Sequence, residues 1–362
     1  MIKKMHQQLL ALGIFAFCFG YFAAYVPYSM LTKMITSGLL SGMNGNGFTG
    51  FEILPVVGTA TFISMYLYLT LAGWWKYSTH TKILGVSIPT PRWITFISGL
   101  CTAGVIITTT LAYTFEGVSI VFAMLLMRGG TLVIAPIVDV IAVKRKRKIF
   151  WPSWIAAGLS LAALFVTFSG KAGMTLTIVV IINIACYLGS YFLRFFFMSN
   201  WAKSTDADEK KRFFTEEQMV ANPAFWGIIM VTGLIGSTMD PASIPGQVWS
   251  GMIHYSLNGY FWYAFAIGVF SYGTGLFGTL VFLDRRENTF TVPASRVSSV
   301  LAGVIATYLL AIFYGSKFPP ASELMGLVLI VGDIIFLATH SIVEKRKKAH
   351  YDPKTLAKEA VA

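Results

Sequence analysis

Three arginines lie within long apolar segments, where a permanent positive charge needs a chemical explanation. Arg128 occupies the middle of "MLLMRGGTLV", and Arg296 and Arg194 lie in two later apolar runs. An arginine that faces lipid at the bilayer centre costs about 2.5–3.5 kcal/mol or more, and its guanidinium stays protonated at any accessible pH. These side chains are therefore expected to face protein, water or a bound anion.

Anion binding is the chemistry that Arg128 and Arg296 suit best. A guanidinium donates two parallel hydrogen bonds to a phosphate or a carboxylate, and hydroxyl donors lie nearby at Thr131, Ser298 and Ser299. We therefore expect these five residues to bind an anionic substrate. Most aromatic residues of such a chain lie at the membrane interfaces, but three tyrosines are further candidates for the cavity wall: Tyr25, Tyr28 and Tyr272.

The alternative role of these arginines is structural, in fixed ion pairs with Asp139, Asp333 or Glu52. Asp333 lies in the middle of the last apolar segment, and Glu52 follows a Gly/Asn-rich stretch, so either is also a candidate for a coupling proton. Asp139 falls within about a turn of the basic run "KRKRK" and is expected to pair with it. Arg194 lies about one turn from the end of its segment, where an ion pair is the favoured interpretation.

The composition indicates a membrane protein. The 362 residues are 56% hydrophobic and 12% charged, with a mean hydropathy of +0.67. A soluble domain carries about 25% charged residues, and a helix needs about 20 apolar residues to cross a bilayer. We predict an all-α integral membrane protein with ten transmembrane helices. The predicted spans are 8–32, 52–74, 93–114, 117–143, 150–169, 173–198, 219–238, 259–283, 288–314 and 321–343.

The net charge of +12 is distributed as a topology signal. Lysine and arginine are concentrated in alternate connecting segments, as in the cytoplasmic loops of multi-pass membrane proteins. The richest of these segments contain residues 144–148, 203–212 and 345–358, whereas the opposite side contains Lys33, Lys171 and Lys317. This pattern predicts that both termini are cytoplasmic and argues against nucleic-acid binding. The run at 144–148 is also a candidate for contact with anionic lipid headgroups.

The two halves of the chain are similar to each other when one is shifted along the other. One shift pairs Arg128 with Arg296, Pro152 with Pro320 and Gly158 with Gly326. A slightly shorter shift pairs Tyr21 and Tyr25 with Tyr187 and Tyr191. Because each half contains an odd number of spans, the second half is expected to be inverted in the membrane, as in many secondary transporters.

The predicted domains follow from this repeat. Residues 1–170 are predicted to form the first five-helix repeat and residues 171–345 the second, inverted repeat. The second repeat includes a cytoplasmic loop at 199–218, with a short amphipathic helix as an alternative for part of that loop. Residues 346–362 form a cytoplasmic tail. Substrate is expected near the midplane, between the two halves.

No cofactor, metal or catalytic site is expected. Cys18, Cys101 and Cys186 all lie in apolar segments without metal-ligand spacing, and the five histidines form no cluster with acidic residues. The sequence contains no phosphate-binding loop, which argues against ATP-driven pumping by this chain. An integral-membrane enzyme acting on a lipid-linked phosphate is the alternative from another class, and it would need acid/base or metal groups at one membrane face.

The chain resembles the drug/metabolite transporter superfamily over essentially its whole length. "LAYTFEGVSIVFAMLLMRGGTLVIAP" is similar to helix three, the tight turn and helix four of that family, and "KRKRKIFWPSWIAAGLSLAALFV" to its passage into helix five. "VSSVLAGVIATYLLAIFYGSKFPPASELMGLVLIVGDIIFL" resembles the matching region of the second half. The resemblance implies a ten-helix fold of two inverted five-helix repeats.

Within this superfamily, "MLLMRGG" is closer to the nucleotide-sugar-transporter-like members than to the EamA-like bacterial exporters. The exporters usually have a proline midway along helix four and a glutamate at its end. Here Arg128 lies near the place of the proline, and a basic run replaces the glutamate. In the nucleotide-sugar and triose-phosphate members, basic residues of the central cavity hold the substrate phosphate. The resemblance therefore implies this role for Arg128 and Arg296.

We expect a secondary active transporter or antiporter for a small anionic metabolite, such as a phosphorylated sugar, a nucleotide sugar or an organic acid. A proton-coupled exporter of amphipathic or cationic compounds is the alternative within transport, with Asp333 or Glu52 carrying the proton. The expected partners are the small-molecule substrate and the lipid bilayer, and the chain is expected to be a monomer or a homodimer. A bacterial cytoplasmic membrane is the default location.

Overall fold

The computed structural model is mostly helical, and its helices follow the apolar runs of the sequence. In chain order they are α1 (Ile14–Thr36), α2 (Gly50–Ala72), α3 (Trp93–Ala112), α4 (Ile120–Ile141), α5 (Ile178–Phe197), α6 (Ala207–Gly236), α7 (Ile244–Ile253), α8 (Phe261–Phe282) and α9 (Asn288–Tyr314). A π-helical turn, Met198–Ala202, extends α5. The structure describes residues 13–83, 85–112, 120–141, 178–202, 206–284 and 288–321, and positions 158, 162, 324–325, 327–329 and 331–332.

The chain is a multi-pass integral membrane protein. In the described part, seven helices are long and apolar enough to cross a membrane: α1, α2, α3, α5 with its extension, α6, α8 and Thr291–Tyr314 of α9. They coincide with seven of the predicted spans, and α4 coincides with the fourth. The fifth span, most of the tenth, the basic run at 144–148 and the tail at 346–362 lie outside the described residues. Ten spans therefore remain a prediction.

Helix α2 begins and ends where the sequence carries local signals. Thr49 and Glu52 form a reciprocal cap, in which the Thr49 N–H donates to Glu52 Oε2 at 2.7 Å and the Glu52 N–H donates to Thr49 Oγ1 at 3.3 Å. At the other end, Gly73 adopts a left-handed conformation with φ 66°, which glycine accepts without steric cost. The cap fixes Glu52 at the helix start.

Helix α6 begins earlier than the sequence suggests. The segment 199–218 was expected to be a cytoplasmic loop, with a short amphipathic helix as the alternative, and the structure has a helix from Ala207 onward that continues into the seventh apolar run. Asp206 caps it by accepting a hydrogen bond from the Asp208 N–H at 2.9 Å, and acidic residues in the first turn favour the helix dipole. The following turns bury Phe213 and Phe214, so apolar packing continues the helix through a segment of polar composition.

A short antiparallel hairpin joins α2 to α3, and the sequence reasoning did not anticipate it. Its strands are β1 (Thr79–Ile83) and β2 (Val86–Thr90). Glu216 of α6 holds the hairpin in place: its carboxylate accepts from the Thr79 N–H at 3.0 Å and from Arg92 Nε at 2.8 Å. Glu216 is fully buried, so this end of α6 is anchored to the connection between α2 and α3.

The helices pack in a regular order around a central cavity. Helix α1 packs against α8 and α9, while α5 packs against α3 and α4. Helix α2 contacts α6 and α8, α3 contacts α6, and α4 contacts α9. Glycines permit close approaches at two of these contacts. A Cβ at Gly99 of α3 would lie 2.6 Å from Val220 Cβ of α6, and one at Gly268 of α8 would lie 2.5 Å from Ala60 Cβ of α2.

Candidate functional site

A cavity of about 50 Å³ lies at the centre of the bundle, between α1, α3, α4, α5 and α8. A water needs about 10–15 Å³ of such space, so the cavity in this conformation admits a few waters or a small polar group. Its walls are mainly hydroxyl-bearing, aromatic and basic. The lining residues are Tyr21, Tyr25, Tyr28, Thr102, Val105, Ile106, Thr109, Arg128, Tyr191, Arg194, Ser271, Thr274, Gly275, Gly278, Thr279 and Phe282.

Helices α3 and α8 contribute matching positions to the cavity wall. Each of the four lining residues of α3 has a partner among the lining residues of α8, always at the same separation along the sequence. The pairs are Thr102 with Ser271, Val105 with Thr274, Ile106 with Gly275, and Thr109 with Gly278. The two helices therefore present the same helical face to one space.

Tyrosines of α1 and α5 form two aromatic ladders beside the cavity. On α1, the ring of Tyr25 lies 5.2 Å from that of Tyr21 and 5.4 Å from that of Tyr28. On α5, the rings of Tyr187 and Tyr191 lie 4.8 Å apart. All five side chains are buried. Spacings of three and four residues place successive rings on one face of each helix, so their hydroxyls reach the same region.

Arg128 of α4 lies between the two ladders. Its Nη2 donates a hydrogen bond to the hydroxyl of Tyr25, and its Nη1 donates to the hydroxyl of Tyr187. Arg128 Cζ lies 5.2 Å from the centroid of the Tyr25 ring and 5.5 Å from that of Tyr187. The side chain is 2% exposed and lines the cavity. Arg128 therefore brings a positive charge to the cavity wall and joins α1 to α5.

Arg296 of α9 is fully buried behind residues of the cavity wall and does not itself line the cavity in this conformation. Its Cζ lies 4.8 Å from the centroid of the Tyr191 ring and 5.5 Å from that of Phe282, and both rings line the cavity. Nε, Nη1 and Nη2 make no hydrogen bond of normal geometry with the described residues, although the Tyr191 side chain lies beside them. Aromatic faces attract cations by about 0.5–2 kcal/mol, which falls short of the several kcal/mol that burial of an ion costs.

Arg194 of α5 is also buried, and it is paired with Glu217 of α6. Nε and Nη2 donate to the two carboxylate oxygens at 2.9 and 2.8 Å. Glu217 also accepts from Ser98 Oγ at 2.6 Å and from Thr102 Oγ1 at 3.1 Å. Arg194 Nη2 donates in addition to Thr279 Oγ1 at 2.7 Å. This network closes one end of the cavity, where Arg194 itself forms part of the wall.

The predicted hydroxyl donors donate to carbonyls of their own helices in this conformation. Thr131 Oγ1 donates to the Arg128 carbonyl at 2.8 Å, and Ser299 Oγ donates to the Arg296 carbonyl at 3.1 Å. Ser298 Oγ donates to a carbonyl one turn earlier, at 3.5 Å. Serine and threonine in helices often bond back to the preceding turn. The Ser299 side chain also lies within reach of Tyr21, a residue of the cavity wall.

The remaining predicted tyrosines separate into two groups. Tyr25 and Tyr28 line the cavity, and the Tyr28 hydroxyl lies 2.9 Å from Thr110 Oγ1 of α3. Tyr272 is buried away from it, with its ring 6.1 Å from that of Tyr68. The structure therefore brings together the two tyrosines of α1 and leaves the tyrosine of α8 outside the cavity wall.

The candidate coupling carboxylates also lie away from the cavity where the structure describes them. Glu52 caps α2. Asp139 accepts a hydrogen bond from Asn288 Nδ2 at 2.8 Å, which joins α4 to the start of α9. Asp333 lies outside the described residues, as does the basic run expected to pair with Asp139.

Sequence reasoning missed Glu217, which pairs with the cavity-lining Arg194. It belongs to the polar segment before the seventh apolar run, so it was assigned to a loop. Two signals were available: Arg194 lies near the same membrane face in the preceding span, and the carboxylates of "FFTEEQMV" are flanked by apolar residues on both sides. Tyr187 and Tyr191 were noted for their repeat spacing but were not assigned to the site.

A larger cavity, of about 280 Å³, lies near the starts of α1 and α6 and the end of α8. Its lining includes Phe214, one turn before Glu217 on α6, and Leu280 and Leu283, next to Thr279 and Phe282 on α8. The wall also carries Lys210, Lys211 and Asp284. Water in this larger cavity would therefore come within about one helical turn of the network that closes the central one.

Comparisons with known proteins show no established family. No family model matches the chain, and the search of curated proteins found no match. Ten chains of solved structures match it. One, described as "Crystal structure of protein", has a TM-score of 0.49 and 13% sequence identity, over 91% of this chain and 98% of its own. Function is therefore inferred from the geometry of the cavity.

Proposed function

We propose that this protein is a secondary active transporter for a small anionic metabolite, which binds in the central cavity. The observation that carries the proposal is Arg296. Its guanidinium is fully buried, and its nitrogens make no hydrogen bond of normal geometry with the described residues. Arginine cannot relieve the cost of burial by losing its proton. A phosphate or carboxylate between Arg296 and Arg128 would satisfy this charge with bidentate hydrogen bonds.

An inverted repeat of two five-helix halves is part of the proposal, and the packing order supports it. In this repeat, α1, α2, α3 and α4 correspond in that order to α5, α6, α8 and α9. The contact between α1 and α8 then has its equivalent in the contact between α5 and α3. The contact of α1 with α9 becomes that of α5 with α4, and the contact of α3 with α6 becomes that of α8 with α2. The matched cavity walls of α3 and α8 follow the same correspondence.

The surroundings of the two arginines support the same correspondence. Tyr25 and Tyr191 occupy equivalent positions when α1 is aligned with α5, and each lies against the arginine of its own half. Inverted repeats of this kind bind substrate between the halves and expose it to each side in turn. The two arginines would therefore hold the substrate anion on the axis that relates the halves.

The contacts at the two ends of the cavity suit alternating access. Tyr28 reaches Thr110 at one end, and Arg194 reaches Thr279 at the other. When α1 is aligned with α5 by their tyrosines, Tyr28 of α1 is aligned with Arg194 of α5. When α3 is aligned with α8 by their cavity-lining residues, Thr110 of α3 is aligned with Thr279 of α8. The two contacts are thus equivalent positions of the proposed repeat, and each can open while the other stays closed.

The substrate class follows from the arginines and from the resemblance to nucleotide-sugar-transporter-like members of the drug/metabolite transporter superfamily. Phosphorylated sugars, nucleotide sugars and organic acids each present a phosphate or carboxylate that a guanidinium recognises. Both termini would be cytoplasmic, by the distribution of basic residues, with a bacterial cytoplasmic membrane as the proposed location.

A thermal-shift screen of the purified protein tests the substrate class. Ligands that bind the folded state raise the unfolding temperature, so phosphorylated sugars, nucleotide sugars, dicarboxylates and sulfate are compared with cationic drugs. We expect stabilisation by anions, its loss in Arg128→Ala and Arg296→Ala, and its retention in Arg212→Ala, a half-exposed arginine of α6. Stabilisation by cationic drugs alone would instead indicate an exporter, and it would contradict anion transport.

Uptake into liposomes tests transport itself. Protein reconstituted with the best anion of the screen is expected to exchange radiolabelled anion across the membrane. Arg128→Ala and Arg296→Ala are each expected to lower the exchange rate at least about tenfold, since one charge-assisted hydrogen bond is worth about 1.5–3 kcal/mol. Unchanged exchange in both variants would refute the role of the arginines.

A further inference from the structure

Arg194 faces two possible anionic partners. On one side it makes a bidentate pair with the fully buried Glu217. On the other side it forms part of the wall of the central cavity, together with Arg128. A substrate anion in that cavity and the carboxylate of Glu217 would therefore compete for one guanidinium.

We propose that Glu217 is the proton-coupling residue of the transporter: anion binding draws Arg194 away from Glu217, and the released carboxylate takes up one proton. This inference rests on the anion-binding function proposed above. The step is balanced, since one H⁺ from water converts the carboxylate into a carboxylic acid while the anion replaces it at Arg194. Proton and anion would then cross the membrane together.

The surroundings of Glu217 explain why it would take up a proton. Facing it are Ser98 and Thr102 of α3 and Arg194 of α5, and Cys101 of α3 is a further titratable group within its electrostatic reach. Without Arg194, two hydroxyl groups would remain as its hydrogen-bond partners in the described structure. A buried carboxylate without a counter-charge is unstable relative to its protonated form.

The other charged groups that the structure describes on this part of α6 have partners of their own. The adjacent Glu216 accepts hydrogen bonds from the hairpin, from Arg92 and from Thr95 of α3. Thr279 of α8 contacts the network through Arg194. Lys211 of α6 donates to Asp208 and to the Tyr77 hydroxyl, away from Glu217. Among the described residues, Glu217 forms its ion pair with Arg194, so protonation would neutralise it after that pair opens.

The charged pair occurs at one end of the cavity only, in the described structure. The equivalent contact at the other end, between Tyr28 and Thr110, is a neutral hydrogen bond. The larger cavity ends about one helical turn from Glu217, at Phe214. Protons would therefore reach Glu217 from this side, which is cytoplasmic in the proposed topology.

Calorimetric titration with sulfate tests the coupling. Sulfate is a suitable probe because its charge is constant between about pH 5 and 8, so protons taken up on binding belong to the protein. Titrations in two buffers with different ionisation enthalpies count those protons. For the wild-type protein we expect up to one proton per sulfate and an affinity that falls by up to about tenfold per pH unit as pH rises.

Two variants test whether Glu217 is the residue that takes up the proton. Glu217→Gln keeps the shape of the side chain but cannot take up a proton, so it is expected to bind sulfate with no proton uptake and at an affinity independent of pH. Glu216→Gln, at the neighbouring buried carboxylate, is expected to behave like the wild type. If Glu217→Gln does not fold, Thr102→Val, which removes one hydroxyl partner of the released carboxylate, is expected to shift the pH at which the wild-type proton uptake occurs.

The outcomes separate the coupling from the anion site. Sulfate binding without proton uptake in the wild type would overturn the coupling and leave anion binding intact. Proton uptake that persists in Glu217→Gln, or that disappears in Glu216→Gln, would overturn the assignment to Glu217. Absence of sulfate binding in the wild type would overturn the coupling together with the anion site on which it rests.

Discussion

Arg194 and Glu217, from different helices, form a bidentate ion pair with nitrogen–oxygen distances of 2.9 and 2.8 Å. Both side chains are buried, and two hydroxyl groups of α3 complete the coordination of the carboxylate. The pair therefore links α5, α6 and α3 at one end of the cavity. A buried pair of this kind contributes little net stability, but loss of one partner leaves the other as an uncompensated charge.

The first prediction concerns this difference between single and double replacement. Glu217→Leu alone is expected to destabilise the protein by about 3–5 kcal/mol, because Arg194 is then buried without its partner. The double variant with Arg194→Met is expected to unfold close to the wild-type temperature, since two apolar side chains replace the pair. Thermal unfolding in detergent measures both effects.

An exposed pair provides the control for this cycle. Asp208 and Lys211 form an ion pair on α6, with the Asp208 side chain 67% exposed. Asp208→Ala is expected to cost no more than about 1 kcal/mol, as is usual for surface pairs. A double variant at Arg194 and Glu217 that is as unstable as Glu217→Leu would show that the ion pair itself stabilises the fold.

The second prediction is that Arg296 lowers the stability of the ligand-free protein. Replacement of buried charged groups by apolar residues is often neutral or stabilising by about 1–4 kcal/mol. Arg296→Met is therefore expected to unfold at the same or a higher temperature than the wild type, and to lose stabilisation by anions. A marked fall in unfolding temperature, comparable to that of Glu217→Leu, would indicate a structural role for Arg296.

Part of the site was predictable because its signals are local. Arg128 and Arg296 are conspicuous since a charge in an apolar run is costly wherever the helix faces, and both are buried beside the tyrosine ladders. The roles of Thr131 and Ser299 were not predictable from spacing alone, because a hydroxyl can bond to its own helix as readily as to a ligand. In this conformation both do so.

The larger omission, Glu217, has a tertiary cause. A polar stretch such as "TDADEKKRFFTEEQ" is typical of a loop, and the apolar residues that flank its carboxylates do not show by themselves which helix buries them. Burial comes from α3, which approaches α6 closely at Gly99 and supplies the hydroxyls of Ser98 and Thr102. The hairpin that anchors Glu216 was missed for the same reason, since its principal partner lies far away in the sequence.

The third prediction tests that close approach. A Cβ at Gly99 would lie 2.6 Å from Val220 Cβ and 3.0 Å from the Glu217 carbonyl oxygen. Gly99→Ala is therefore expected to destabilise the protein by about 1–3 kcal/mol through overpacking, and to weaken the proton uptake that accompanies sulfate binding. Gly227→Ala on α6, where a Cβ meets nothing within 4 Å, is the matched control.

The control variant Gly227→Ala is expected to be more stable than the wild type, because alanine in place of glycine stabilises a helix interior by about 0.5–1 kcal/mol. Thermal unfolding of the two variants should therefore move in opposite directions. Equal effects would show that the contact between α3 and α6 tolerates a methyl group, and that Gly99 does not determine the position of Glu217.

The fourth prediction fixes the orientation of the ion pair in the membrane. The hairpin and the turn after α6 are predicted to lie on opposite sides, and Ser87 and Thr238 are exposed in these two connections. In a background with Cys18, Cys101 and Cys186 replaced by alanine, Ser87→Cys is expected to react with an impermeant maleimide in inverted vesicles only, and Thr238→Cys in right-side-out vesicles only. The reverse labelling would place Arg194 and Glu217 at the outer end of the cavity, where a proton-coupled anion would be drawn from outside the cell.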